Sequence, residues 1–153
     1  MRIPHNGLVL VADGRKALFL RNHGDEKRID LRIEAHEERE DHKDRELKSD
    51  APGLTQQRFG HGRPAVDEAD FHDQAEERWA ARIAAAMNER VLAGGGDDLV
   101  VLAPPRTLGI LRAHWHKEVE ARLIGEMASE MTDRPIPDIE ALIVGDAAPP
   151  AGP

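Results

Sequence analysis

The chain has 153 residues, the length of one domain in which roughly two thirds of the unfolded surface is buried around a single core. Its 21 Lys and Arg against 29 Asp and Glu give a formal net charge of −8, so the average field repels polyphosphates and anionic membranes, and any contact with nucleic acid has to be local. There is no cysteine, which excludes disulfides, thiolate zinc sites and thiol nucleophiles.

The first third of the chain predicts three strands. Apolar runs at residues 8–12 and 17–20 are separated by the sequence DGRK, in which Asp13 and Gly14 both tolerate positive φ and therefore predict a hairpin turn. In residues 27–38 apolar and polar side chains alternate, which predicts a third strand with one solvent-exposed face. Its apolar positions are Ile29, Leu31 and Ile33.

The first apolar run also bears on localisation. Residues 8–12 are too few for the core of a signal peptide or for a membrane span. Because the chain also lacks the cysteines typical of an oxidising compartment, we expect a cytoplasmic protein without a membrane partner.

A long loop and a long helix follow. Residues 41–66 predict the loop, because their charged, glycine- and proline-bearing sequence buries too little to repay the entropy of ordering. Loops longer than about 12–15 residues are uncommon unless they are functional or disordered. The helix is expected to begin at Asp67 or Asp70, where acids cap free N–H groups, and to end at Leu92 before three glycines. Its expected buried stripe is Phe71, Ala75, Trp79, Ile83, Met87 and Val91.

The last third predicts one central strand and further short elements. Residues 99–103 are a continuous apolar run before two prolines, as is typical of a strand covered on both faces. A short helix begins near Thr107 and turns Leu108, Leu111 and Trp115 inward. Residues 119–131 fit both the helical periodicity and the alternation of a strand. Their helical stripe is Val119, Leu123, Met127 and Met131, and their strand alternation is Ala121, Leu123, Gly125 and Met127.

The C-terminal end predicts a last helix at residues 137–144 and a fraying tail at 145–153. The order of strands and helices predicts an α/β fold in which a mixed β-sheet and its flanking helices form one layered domain over residues 1–144.

Four motifs carry a family resemblance: VADGRKALFL, FGHGRPAVDEADFHDQAEERWAARIA, LVVLAPPRTLGILR and EMTDRPIPDIE. In this order they resemble the bacterial host-attachment protein family, which is related to the central domain of archaeo-eukaryotic peptide release factors. The resemblance implies an RNase H-like architecture and favours an edge strand in residues 119–131. It also implies that the loop before the long helix corresponds to the release-factor loop that carries Gly-Gly-Gln and promotes hydrolysis of peptidyl-tRNA.

The corresponding loop gives the main candidate site. Two glycines supply backbone freedom and three basic residues make the loop locally cationic, as contact with RNA phosphates requires. The candidate residues are Arg58, Gly60, His61, Gly62 and Arg63. No glutamine follows these glycines, and residues 65–77 add six acids. We therefore expect a non-enzymatic, release-factor-like domain that contacts the ribosome or a structured RNA, without a cofactor, in translation quality control.

A second candidate site follows the central strand. Arg106 and Thr107 begin a helix just past the carboxyl end of residues 99–103, the position at which open α/β sheets bind anionic ligands.

Two other functions stay open. The family name implies a role in attachment to host cells, which would be indirect in a protein without an export signal. A metal-dependent nuclease or phosphoesterase would need paired carboxylates on a divalent cation, and its candidate ligands are Asp13, Asp67, Asp70, His72 and Asp73. Exposed edge strands and a small core also admit a homodimer.

Overall fold

The computed structural model describes residues 1–40, 65–95 and 98–147, with side chains described except at 65–70, 95, 146 and 147. The strands of this part are β1 (Leu8–Ala12), β2 (Lys16–Asn22), β3 (Leu31–Glu38), β4 (Leu99–Ala103) and β5 (Leu123–Ala128). Its helices are α1 (Ala65–Arg90), α2 (Pro105–His114), α3 (Lys117–Arg122) and α4 (Ile136–Ala147).

The five strands form one mixed sheet in the order β3-β2-β1-β4-β5. β2 is antiparallel to both β1 and β3, whereas β4 is parallel to β1 and β5 is parallel to β4. The predicted α/β domain with a mixed sheet and flanking helices is confirmed.

Both faces of the sheet are covered, which explains the continuous apolar runs of β1 and β4. On one face, alternate residues of these strands pack against α1, α2 and α3. On the other face, the remaining residues pack against α4 and the N-terminal segment, with Ile3, Ile139 and Ile143 in the shared core. The Met1 ammonium donates to the Ile143 carbonyl over 2.7 Å, so the chain terminus is tied to α4.

The predicted stripe of α1 is buried only in its second half. Trp79, Ile83, Met87 and Val91 are in the core, but Phe71 is 43% exposed and its predicted burial is wrong. The reason is positional: Trp79 already lies at the last turn that the sheet can cover, because its indole N–H donates to the carbonyl of Asp13 directly after β1.

The ends of α1 differ slightly from the prediction. The helix begins at Ala65, so the last two residues of the predicted loop 41–66 are helical, and the rest of that loop lies outside the described residues. A π-helical turn, Val91–Gly95, follows the helix, and Gly94 has φ of 92°. The glycine therefore supplies the left-handed residue expected at the helix end.

The β1–β2 turn forms in a way the sequence did not indicate. Neither Asp13 nor Gly14 has positive φ among the described residues. Instead, Oδ1 of Asp13 accepts the backbone N–H groups of Arg15 and Lys16, each over 2.7 Å. The carboxylate thus folds the turn by local hydrogen bonding, as aspartate often does.

Residues 117–128 contain both of the predicted alternatives in succession. A helical turn with Val119 buried precedes β5, which is an edge strand as the resemblance implied. The last helix is longer than predicted. It reaches Ala147, three residues beyond the predicted end, and residues 148–153 lie outside the described part.

Asn22 anchors the opposite edge of the sheet, where β1 begins and β2 ends. It is fully buried. Its Nδ2 group donates to the carbonyls of Ile3, Pro4 and Asp25, and its Oδ1 accepts the N–H groups of Gly24 and Asp30. One amide side chain therefore joins the N-terminal segment to the β2–β3 connection.

Candidate functional site at the carboxyl edge of the sheet

The candidate site lies at the edge where β1, β4 and β5 end. Because these strands are parallel, their carboxyl ends share this edge. β3 ends here too, since Glu38 pairs with Lys16 at the start of β2. The last residues of β3, the β1–β2 turn, the start of α2 and the loop after β5 therefore meet at one end of the molecule.

Asp13 is a carboxylate of this edge that accepts three hydrogen bonds from described residues. Besides the two turn N–H groups on Oδ1, the Thr132 hydroxyl donates to its Oδ2 over 2.5 Å. Burial raises the pKa of Asp13, but the hydrogen bonds from Thr132 and from the N–H groups of Arg15 and Lys16 outweigh it and hold the pKa below its usual value. The group is therefore an ionised structural acceptor at neutral pH.

The loop after β5 is attached to the β1–β2 turn by two neighbouring residues. Thr132 donates to Asp13, and Asp133 accepts from Nζ of Lys16 over 2.8 Å. The ion pair of Lys16 and Asp133 is exposed and adds little, whereas the bond to Asp13 is partly buried. These contacts fix the position of the loop that leads into α4.

Arg106 joins α2 to α1. Its Nε group lies 3.0 Å from Oε1 of Glu76 and its Nη2 group lies 3.3 Å from Oδ1 of Asp73. Glu76 also approaches the β1–β2 turn, because a Cβ on Gly14 would stand 3.0 Å from Oε2 of Glu76. The Glu76 carboxylate therefore lies between the turn and the Arg106 guanidinium.

The first half of α1 extends beyond this edge. Ala65 precedes Trp79 by 14 residues, and a helix of that length spans about 21 Å. No residue from 71 to 78 is buried. We call residues 65–78 the projecting arm; within its described side chains, Asp73 and Glu76 hold it to the body through Arg106.

A family model matches most of the chain. The model of bacterial archaeo-eukaryotic release factor family 12 matches residues 6–143. The chain belongs to this family. A comparison with curated proteins finds no significant match. Among the described helices of this family 12 protein, none has the length and apolar character required to cross a bilayer.

Family 12 membership makes the protein release-factor-like in kind. The five loop candidates Arg58, Gly60, His61, Gly62 and Arg63 lie outside the described residues, immediately before α1. Arg106 and Thr107 lie at the carboxyl edge of the sheet, as the sequence indicated. Arg106 already engages two carboxylates there, which the sequence did not indicate.

The alternative metal ligands are not brought together within the described part of this family 12 protein. No group of three or more His, Asp or Glu in that part is placed to hold a metal ion. Asp13 accepts three hydrogen bonds, and Asp73 pairs with Arg106. The His72 ring stacks with the Phe71 ring, and the two ring centroids are 6.1 Å apart. The side chains of Asp67 and Asp70 lie outside the described residues.

Sequence reasoning missed two residues of this edge. Glu76 follows Asp73 by three positions, a spacing that puts both acids on one helical face, so a local signal for a shared partner existed. Thr132 lies in the motif EMTDRPIPDIE, but its bond to Asp13 joins residues 119 positions apart. No local pattern reports such a contact.

Proposed function

We propose that this protein is a non-enzymatic, release-factor-like domain that contacts the ribosome or a structured RNA in translation quality control. The observation that carries the proposal is the projecting arm. This helix leaves the sheet edge, and none of its residues from 71 to 78 is buried. What precedes it is the segment with Gly60, His61, Gly62 and Arg63.

Membership of a release-factor family supports this use of the arm. In the resemblance described above, the loop before the long helix is the part of a release factor that reaches its target on the ribosome. The arm spans about 21 Å by helix geometry, which is the reach that the described part of the helix provides.

The residue types of the segment before α1 favour binding over hydrolysis. No glutamine follows the glycines of residues 60–62, so the residue type that release factors place in the reaction centre is missing from the corresponding stretch. Arg58 and Arg63 instead offer guanidinium groups, which bind phosphate oxygens in pairs. The proposed role is accordingly recognition of RNA, with no bond made or broken.

Co-sedimentation with purified ribosomes at low ionic strength tests the proposal. The protein is expected in the ribosomal pellet, and Arg58→Ala and Arg63→Ala are each expected to reduce the bound fraction, because each removes one phosphate-binding cation. Lys117→Ala is the matched control. Lys117 is exposed at the start of α3, beside the C-terminal half of α1, where the backbone N–H of His116 bonds to Asn88.

Two results would count against the proposal. One is a clean separation of the protein from ribosomes and from rRNA at low ionic strength. The other is an equal loss of binding in the Lys117→Ala control, which would mean that Arg58 and Arg63 have no special part in the contact. The host-attachment role and the nuclease role stay predictions from the sequence, tested by cell fractionation and by incubation with RNA and Mg²⁺.

A further inference from the structure

The two edges of the sheet differ in their protection against pairing with a strand of another molecule. β3 forms one edge, and half of its eight residues are charged: Arg32, Glu34, Glu37 and Glu38. β5 forms the other edge, and its sequence LIGEMA has one charged residue, Glu126, and no proline. Charged residues and proline are common means by which edge strands avoid such pairing. The edge at β5 therefore lacks the protection that β3 has.

The backbone of β5 has a row of hydrogen-bonding groups that points away from the sheet. Within the described residues β5 pairs with β4 alone. The N–H of Ser129, directly after the strand, donates to the Ala103 carbonyl over 3.1 Å, so the backbone groups of Ser129 face β4. Because these groups alternate in direction along a strand, the N–H and C=O groups of Glu126 and Ala128 face outward.

A bulge limits the regular part of this edge. Leu123 and Gly125 pair with consecutive residues of β4, so Ile124 between them is the extra residue. From Gly125 to the end of β5 the register with β4 is unbroken. A bulge bends an edge locally and disfavours further pairing there. The part of β5 that can accept another strand is therefore residues 125–128.

Glu126 is the charged residue of this edge, and Arg112 of α2 pairs with it. Nε and Nη2 of Arg112 donate to the same oxygen of Glu126, Oε1, over 2.9 and 2.8 Å. Within the described part of the chain, nothing donates to Oε2 of Glu126, and Nη1 of Arg112 has no acceptor. The patch therefore carries a cationic donor and an anionic acceptor that are both still available.

We propose that the β5 edge is the contact surface of a homodimer, in which the β5 strands of two copies pair antiparallel about a two-fold axis and join both sheets into one. The outward N–H and C=O groups of each strand are then satisfied by the other strand. Charge complementarity identifies the occupant as a second copy. The available donor of Arg112 and the available acceptor of Glu126 belong to one patch, so two-fold symmetry lets each copy donate to the other. The inference does not depend on the proposed contact with RNA.

The sequence of β5 also selects the register of the two strands. Outward groups have to face each other, so the axis falls at residue 125, 126 or 127. An axis at Glu126 would set two carboxylates directly opposite each other, which is destabilising. An axis at Gly125 would bring the second strand against the bulge at Ile124. The axis at Met127 avoids both, and it places Glu126 opposite Ala128 of the second copy.

Sedimentation equilibrium over a series of protein concentrations tests the dimer. The wild-type protein is expected to form a dimer, and Ala128→Pro is expected to raise its dissociation constant by about tenfold to hundredfold, because half of the inter-strand hydrogen bonds are lost. Proline is tolerated where the replaced N–H faces away from the sheet, so the bonds to β4 remain. Ala128→Ser is the matched control. It keeps the N–H and is expected to leave the dissociation constant unchanged.

Single cysteines test the register. The chain has no cysteine of its own, so any disulfide of a single-cysteine variant joins two copies. With the axis at Met127, the two Cα atoms of residue 127 face each other at about 4.5 Å, within the range of a disulfide. Met127→Cys is therefore expected to cross-link with oxidised glutathione. Ser129→Cys is the control, since its two copies lie about 13 Å apart along the strands although both residues are partly buried.

Three results would overturn the inference. One is a wild-type protein that stays monomeric at every concentration. Another is a dimer that Ala128→Pro does not weaken, which would place the contact on a different surface. The third is a cross-linking rate of Ser129→Cys equal to that of Met127→Cys, which would indicate random collision. Circular dichroism of each variant checks that the monomer retains its fold.

Hydrogen exchange measured by NMR separates a second copy from another partner. In the dimer the amides of Glu126 and Ala128 are expected to exchange about tenfold more slowly at high than at low protein concentration. The amide of Met127, which faces β4, is expected to stay protected at both. Protection of the two outward amides only after addition of ribosomes would assign this edge to a ribosomal partner and overturn the dimer.

Discussion

Trp79 donates its indole N–H to the backbone carbonyl of Asp13 over 3.0 Å, and this bond marks the level at which α1 leaves the sheet. Trp79→Phe keeps most of the packing and removes the donor, so we expect the free energy of unfolding to fall by about 1 kcal/mol. Urea denaturation measures the change.

Trp115 provides the control for this substitution. Its indole nitrogen is buried and has no hydrogen-bond partner in the described part of the chain. Trp115→Phe therefore removes an unsatisfied donor and is expected to cost less than Trp79→Phe, in spite of the similar loss of volume. The opposite ranking of the two variants would show that the bond to Asp13 contributes nothing measurable.

The bond between Thr132 and Asp13 predicts a pH dependence of stability. The pKa of Asp13 is lowered from the value of 3.8 in the unfolded chain, so the folded state binds this proton less tightly. The resulting stabilisation is complete above that pH and is lost as the pH falls below 3.8 toward the folded pKa. Thr132→Val is expected to raise the pKa of Asp13 and to reduce the loss of stability at acid pH.

Carboxyl NMR titration of Asp13 and urea denaturation across the acid range measure the two quantities. Ser129, in the same loop, serves as control: its backbone N–H bonds to the Ala103 carbonyl, which Ser129→Ala leaves in place. An unchanged pKa of Asp13 in Thr132→Val would contradict the role given to the hydroxyl.

The amide of Asn22 predicts a large loss of stability on substitution. It is fully buried and takes part in five hydrogen bonds. Asn22→Leu has a similar size but leaves several buried backbone groups unpaired, so we expect the unfolding free energy to fall by roughly 3 kcal/mol or more. A loss below about 1 kcal/mol, measured by thermal and urea unfolding, would mean that water replaces the amide.

Two glycines predict opposite tolerance of a methyl group. A Cβ on Gly24 would clash with the backbone carbonyl oxygen of Arg28, whereas a Cβ on Gly125 would meet the Sδ atom at the flexible end of Met1. Gly24→Ala is therefore expected to cost about 2–3 kcal/mol and Gly125→Ala under about 1 kcal/mol. Equal unfolding midpoints would contradict this assignment of rigid and flexible neighbours.

The sequence predicted the strands best where burial is complete. The predicted bounds of β1 and β4 agree with the structure, because a strand covered on both faces needs apolar side chains at every position and ends where they end. The segment that forms α3 and β5 was ambiguous because Leu123 and Met127 satisfy both periods. The change from helix to strand after Arg122 depends on the pairing of β5 with β4, which is not a local interaction.

The misses share a physical cause. Periodicity identified the apolar stripe of α1 but gives no information on how far the sheet extends along the helix. It therefore placed Phe71 in the core. Turn propensity allowed positive φ at Asp13, but the turn is instead formed by two backbone N–H groups that donate to the Asp13 carboxylate. At the candidate site, position in the fold indicated Arg106 and Thr107, while the acids that occupy Arg106 depend on how α1 packs over α2.

The attachment of Met1 has a practical consequence for all of these experiments. Its ammonium donates to the Ile143 carbonyl, and its thioether lies against Gly125 of β5. An affinity tag fused before Met1 would convert that ammonium into an amide and force a new polypeptide out between α4 and the edge strand. Purification tags are therefore better kept away from Met1, so that its ammonium stays bonded to α4.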